Sequence, residues 1–131
     1  MAEKFALAEQ FAHLGLGATA EAQPPFDGLA WYEAYGKRTA SDGAEGRLVA
    51  LHRFSGSWTS WEIHPHGAEL VLVTDGEMTL VQDVNGAEQR ITLGKGEYAI
   101  NPPDVWHTAD IDGEAEALFI TAGMDTRHRE R

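Results

Sequence analysis

The chain has 131 residues, of which 43% are hydrophobic, no cysteine, and a formal net charge of −11 at pH 7. This length is usual for one domain and is enough to bury a core. Without cysteine there are no disulfides or thiolate ligands, so a bound metal ion would need histidine nitrogen and carboxylate or carbonyl oxygen. The negative charge argues against nucleic acid and anionic membranes as partners, because both attract basic surfaces.

The amino-terminal stretch does not resemble a signal peptide, since no basic segment is followed by an apolar one. No apolar run is long enough to cross a membrane. Together with the lack of cysteine, these features favour a cytoplasmic protein.

The first 46 residues are predicted to pack on the outside of the main domain. Phe5, Ala8, Phe11 and Ala12 recur at helical spacing, which predicts a short N-terminal helix over residues 3–14. Two glycines that follow are expected to end this helix.

A second outer element is predicted over residues 29–35, after a linker rich in proline and glycine. The alternation of Trp31, Glu33 and Tyr35 predicts an edge strand. Bulky aromatic residues on an outer layer are typical of subunit interfaces. The helix and the side chains of Trp31, Tyr32 and Tyr35 are therefore candidate elements of a subunit interface.

From residue 47 onward the pattern changes to short apolar strands separated by turn signals, the strongest being Asn85-Gly86. The predicted strands span residues 48–54, 58–64, 69–73, 78–84, 89–93, 98–101, 105–111 and 115–122. This series predicts an all-β antiparallel sandwich or barrel over residues 47–122, within one domain overall. The basic end, residues 123–131, is predicted to be a solvated tail.

Two stretches carry histidines and carboxylates at spacings that suit one metal site. The first is Gly56-x5-Glu62-x-His64-x4-Glu69-x6-Gly76. The second is Gly96-x5-Pro102-x-Asp104-x2-His107. On short apolar strands, such side chains are expected to point into a β-barrel from its two halves.

These two stretches resemble the signature motifs of the cupin superfamily. That resemblance implies an all-β, cupin-type jelly-roll barrel, a double-stranded β-helix. In cupins the first motif usually supplies two histidines and one glutamate, and the second supplies a third histidine. Here Asp104 stands where a glycine is usual, and this turn is expected to differ in conformation, because aspartate tolerates a left-handed backbone less freely than glycine.

The first motif departs from the usual His-x-His pattern and leaves two registers open. In one, Glu62 replaces the first histidine, and His64 and Glu69 follow at the spacing that the flanking glycines support. In the other, His64 and His66 form the pair, but only two residues separate His66 from Glu69. The first register is preferred, with His107 as the remaining ligand and His66 as the alternative to Glu62.

His64, Glu69 and His107 form a set of two histidines and one carboxylate. Such a set suits one divalent ion of Fe, Zn, Mn, Ni or Co and leaves other coordination positions open. Glu62 is expected either to be a fourth ligand or to act as a general base close to the metal.

Residues in phase with these ligands are predicted to line a substrate pocket that is mostly apolar. They are Trp58, Ser60, Val71, Val73, Val105 and Ala109. By the same alternation Trp61 and Trp106 are expected on the outside. His13, His52 and His128 lack a motif context and are expected to be structural or solvated.

The resemblance implies a small metal-dependent enzyme that acts on a small polar organic molecule. It does not choose among dioxygenase, isomerase, and lyase or decarboxylase chemistry, because cupin functions diverge widely on one fold. The alternative is a non-catalytic cupin that binds a small molecule. Because small cupins commonly pair, the resemblance also implies a homodimer.

Overall fold

The structure, a computed structural model, describes residues 2–131 and consists mainly of β-strands. The strands are β1 (Ala12–Gly15), β2 (Thr19–Ala22), β3 (Arg47–Phe54), β4 (Ser60–Ile63), β5 (Glu69–Gly76), β6 (Met78–Val84), β7 (Ala87–Leu93), β8 (Tyr98–Asn101), β9 (Trp106–Asp110), β10 (Ala115–Thr121) and β11 (Arg127–Glu130). The α-helix α1 spans Ala30–Arg38, and 3-10 segments lie at Leu16–Ala18 and Ala40–Glu45.

These strands form two antiparallel sheets. The first has the order β2-β1-β3-β10-β5-β8, and the second has the order β11-β4-β9-β6-β7. Apart from the consecutive pairs β1–β2 and β6–β7, neighbours in each sheet are distant in sequence, as in a jelly roll, where strands from the two halves of the chain interleave. The predicted all-β jelly roll is confirmed.

The main core lies between the two sheets. Val71 and Val73 of β5 are fully buried, as are Leu80 of β6 and Ala109 of β9, and Phe119 of β10 joins them. Burial alternates along β5 and β10, because successive side chains of a strand point to opposite faces. The alternation of apolar residues in the sequence therefore specifies which face of each strand is inside.

The eight strands predicted after residue 47 are all present, and their ends differ from the predicted ones by at most three residues. The predicted hairpin joins β6 and β7 through Asn85 and Gly86, whose φ angles are 56° and 83°. Positive φ at both central residues is the requirement of a type I′ turn, which Asn-Gly satisfies well.

The predicted helix over residues 3–14 is wrong, because the short helix of the N-terminal region lies at α1 instead. Residues 7–9 form a turn, and Ala12–Gly15 is the strand β1, which pairs with both β2 and β3. Phe11 and His13 are buried while Phe5 is half exposed. Pairing with the edge of the sheet thus outweighs the helical spacing of the apolar residues.

The predicted edge strand over residues 29–35 is also wrong, since this segment starts α1. Trp31 and Tyr35 lie one helical turn apart, and their rings stack at 5.3 Å, whereas Glu33 is exposed. Trp31 packs against Phe11 of the same chain at 5.2 Å. Its ring is 4% exposed and is therefore not free to contact a second subunit.

The predicted C-terminal tail is a strand, β11, which pairs with β4. The guanidinium of Arg129 lies 5.1 Å from the Trp61 ring and 4.6 Å from the Trp106 ring. Both tryptophans are therefore on the outer face, as predicted, where the arginine covers them. Cation–π contacts and strand pairing give this segment a reason to be ordered that its basic composition does not reveal. No helix among residues 2–131 is long and apolar enough to cross a membrane.

Candidate metal centre

The fold brings together four side chains, three from strands of the two sheets and one from the turn after β4. Glu62 lies in β4 directly opposite His107 of β9, His64 follows β4, and Glu69 is the first residue of β5. One oxygen or nitrogen atom from each of these residues lies within 4.8 Å of those from the others. His66 is outside this group, since its side chain is 43% exposed and lies 2.7 Å from Asp125.

The two histidines of this cluster direct their Nε2 atoms towards carboxylates. His64 Nε2 lies 2.9 Å from Glu62 Oε1 and 3.2 Å from Glu69 Oε2. His107 Nε2 lies 3.2 Å from Glu69 Oε1. Yet both Nε2 atoms are buried without a hydrogen bond of acceptable geometry. Nitrogen and oxygen atoms that approach closely without bonding one another fit a cation placed among them.

Hydrogen bonds on the other side of each imidazole fix its orientation. The Thr126 hydroxyl donates to the Gly123 carbonyl at 2.8 Å, so its oxygen is free to accept from His64 Nδ1 at 2.8 Å. His107 Nδ1 donates to the Val105 carbonyl at 3.2 Å. With Nδ1 protonated in both rings, the Nε2 lone pairs are available to a metal, an arrangement usual for histidine ligands.

Hydrogen bonds also fix the orientation of the Glu69 carboxylate. Its Oε1 accepts a hydrogen bond from Asn101 Nδ2 at 3.0 Å, and its Oε2 accepts one from Thr121 Oγ1 at 2.6 Å. Asn101 in turn accepts from Gln82 Nε2 at 2.9 Å. This network orients both carboxylate oxygens of a residue that is 2% exposed and so compensates for part of the cost of burying it.

The buried charges shift one another's pKa values. Burial lowers the pKa of His64, but its contacts with Glu62 and Glu69 outweigh burial and raise it to about 9. Burial raises the pKa of Glu69, but His107 and His64 hold it well below its ordinary value. Without a metal ion, His64 is therefore protonated at neutral pH, and its positive charge stands where a cation would lie.

Glu62 differs from the other three because its side chain is 25% exposed. While Oε1 approaches His64, Oε2 lies 3.1 Å from His128 Nε2 of β11. Glu62 is thus at the rim of the cluster, between the buried ligand set and solvent.

The residues predicted to line the pocket differ in where they lie relative to this cluster. Trp58 lies beside His107, with ring centroids 6.4 Å apart. Val71, Val73 and Ala109 belong to the main core. Two others contribute backbone atoms, since the carbonyl of Ser60 accepts from Thr108 and that of Val105 accepts from His107.

Sequence reasoning missed the residues that support the cluster. Three of them are polar residues at inward positions of otherwise apolar strands, namely Gln82, Asn101 and Thr121. This departure from the apolar pattern could have identified them from the sequence. Thr126 and His128 gave no such signal, because they lie in the segment predicted to be a tail. The turn at Asp104 keeps the backbone conformation that glycine favours, contrary to expectation, since the φ of Asp104 is 60°. The Asp104 N–H donates to the His64 carbonyl at 3.0 Å.

The family model described as Cupin domain matches residues 55–123. This match covers more than half of the chain and both histidine motifs. The chain therefore belongs to the cupin family. A search of curated protein sequences found no match.

Comparison with solved structures supports the same fold. A cupin-2 domain protein from Shewanella frigidimarina is 24% identical with a TM-score of 0.50, over 57% of this chain and 69% of that one. An oxalate oxidase is 18% identical with a TM-score of 0.54, over 61% and 44%. A hydroquinone 1,2-dioxygenase in complex with Cd²⁺ is 16% identical with a TM-score of 0.52, over 57% and 56%. Part of each structure thus has the fold of this chain.

Proposed function

We propose that this cupin is a metal-dependent enzyme that acts on a small polar organic molecule. The proposed ligands of one divalent ion are His64, Glu69 and His107, and Glu62 lies beside them as the second carboxylate of the site. The observation that carries the proposal is the pair of buried Nε2 atoms that have no hydrogen-bond partner and face two carboxylates at 2.9 to 3.2 Å.

The donor set limits the choice of ion. Two imidazoles and two carboxylates suit Fe, Zn, Mn, Ni or Co, and the two negative charges balance one divalent cation. When bound, such an ion polarises a substrate oxygen as a Lewis acid. Among dioxygenase, isomerase and lyase chemistry, the similarity to an oxalate oxidase and to a hydroquinone 1,2-dioxygenase supports an oxidative reaction.

Glu62 is proposed as the group that accepts a proton from the substrate. It is the member of the cluster that solvent can reach, and Oε2 points away from the two buried imidazoles towards His128. A carboxylate beside a cation is well placed to take a proton from a carbon or hydroxyl next to a polarised oxygen. His64, Glu69 and His107 keep the metal site intact while Glu62 changes its protonation.

The test compares Glu62→Gln with the wild-type protein after loading with Fe²⁺ or Zn²⁺. We expect the variant to keep at least half of the metal and to lose turnover by about a hundredfold, the usual worth of a general base. His66→Ala, at a histidine outside the cluster, is the matched control and should keep both properties. O2 uptake and product formation are measured with hydroxy acids, phenols and dicarbonyl compounds as substrates.

Equal turnover by Glu62→Gln and wild type would contradict the role of Glu62. Metal-loaded protein that binds these compounds but converts none of them would favour the alternative, a non-catalytic cupin that binds small molecules.

A further inference from the structure

The indole nitrogen of Trp58 is a third buried side-chain atom that lacks a hydrogen-bond partner among residues 2–131, beside His64 Nε2 and His107 Nε2. Buried polar groups in natural proteins nearly always have a partner, because leaving a donor unsatisfied is costly. The Trp58 ring lies next to that of His107. The three unsatisfied atoms therefore belong to neighbouring side chains, since the His107 ring also lies 5.1 Å from that of His64.

The surroundings of Trp58 are aromatic. Its ring lies 5.8 Å from Phe54 and 6.1 Å from Phe119. His52 continues this wall 6.0 Å from Phe119, and its Nε2 is 2.9 Å from the Tyr32 hydroxyl. The rings of Phe54 and Trp58 pack against the main core, so a ligand that reaches the Trp58 indole would meet aromatic side chains, which favour a flat, unsaturated molecule.

The charges in this region limit the charge of a ligand. No lysine or arginine in residues 2–131 is buried. Arg131 donates to the Trp58 carbonyl at 3.1 Å, but its charge is paired with that of Asp110. The proposed metal site already contains two carboxylates. These carboxylates neutralise a divalent ion, and no buried basic side chain is present to balance further negative charge. Burying a dianion there would be unfavourable, but a neutral or singly charged molecule would be accepted.

We propose that the site takes a flat, oxygen-bearing molecule with at most one negative charge, such as an enolate or an aromatic monocarboxylate. One oxygen is directed at the metal, and a second oxygen accepts a hydrogen bond from Trp58 Nε1. Trp58 is then a substrate-binding donor. This inference rests on the proposed function and gives it a substrate class.

The experiment uses Zn²⁺-loaded full-length protein with ¹⁵N-labelled tryptophan, whose four indole N–H groups give four signals. Metal content is measured first. Benzoate and pentane-2,4-dione are the planar probes, and inorganic phosphate and oxalate are the more highly charged controls. We expect both planar probes to bind and to move one indole signal downfield, as a new hydrogen bond does. Trp58→Phe should remove that signal and weaken binding about tenfold, the usual worth of one hydrogen bond.

Trp106→Phe is the matched control, since this ring lies on the outer face under Arg129, and it should leave probe affinity unchanged. The signal shift is read in the wild-type protein, so a folding defect in Trp58→Phe would not remove the test. Metal-loaded protein whose Trp58 signal does not move, or that binds phosphate more tightly than benzoate, overturns this inference alone. Protein that takes up no metal overturns the proposed function, and this inference with it.

Discussion

Metal uptake by this protein should depend steeply on pH, because the metal must displace the proton of His64. The pKa of His64 is about 9, so at pH 7 about 99% of the imidazole is charged, as follows from a gap of about two pH units. Only the neutral imidazole binds a metal. Apparent affinity should therefore be about a hundredfold lower at pH 7 than above pH 9, and should rise about tenfold per unit between them.

The proton on His64, which opposes metal binding, stabilises the folded protein when no metal is bound. A pKa raised from 6.5 to about 9 stabilises the folded state by about 3 kcal/mol below pH 6.5. This contribution is lost as the pH rises through 9. With a chelator present, the urea midpoint should thus fall over the range in which metal affinity improves.

Isothermal titration calorimetry in two buffers of different ionisation enthalpy counts the protons released on metal binding. At pH 7 we expect about one proton from His64 for each ion bound. His66→Ala removes a histidine outside the cluster and should release the same number. Release of no proton at pH 7, or an affinity that stays constant between pH 6.5 and 8.5, would refute this account of the site.

Three further predictions concern the residues that support the site and the fold. Thr126→Ala should weaken metal binding 10- to 100-fold in a competition titration, because the hydroxyl orients His64, while Thr126→Ser should stay near wild type. Gly76→Ala should lower the free energy of unfolding by more than about 2 kcal/mol, because the added Cβ would lie 2.3 Å from the Glu114 carbonyl oxygen at a φ of 73°. Gly86→Ala is the control, since Gly86 has a φ of 83° but open space around it, and it should cost only about 1 kcal/mol. Equal losses of stability in the two variants would contradict the steric argument. Arg129→Ala should lower the urea-derived free energy of unfolding by about 1–2 kcal/mol, because two tryptophan rings lose their cation, and an unchanged midpoint would show that β11 is held by strand pairing alone.

The strands and the cluster were predictable because each rests on a local pattern. Alternating apolar residues identify the strands, and turns such as Asn85-Gly86 delimit them. The spacing between Gly56 and Gly76 favoured Glu62 over His66, and the structure places Glu62 in the cluster and His66 outside it. In these parts of the chain, short-range preferences agree with the final packing.

The two ends of the chain were not predictable in the same way, because their structure depends on distant partners. Phe11 follows a helical spacing, yet this segment pairs with β3, far along the chain. The basic end becomes ordered only by pairing with β4 and covering Trp61. Thr126 was not predicted for the same reason, because it lies 62 residues along the chain from the histidine that it orients.

Metal content of the purified protein tests the central claim most directly. Elemental analysis after loading with a divalent ion and desalting should give close to one ion per chain for wild type. Glu69→Ala and His107→Ala each remove one buried ligand and should retain less than about a tenth of that amount, while His66→Ala should match wild type. Wild-type protein with no bound ion, or equal metal content in wild type and both ligand variants, would contradict the assignment of Glu62, His64, Glu69 and His107 as a metal site.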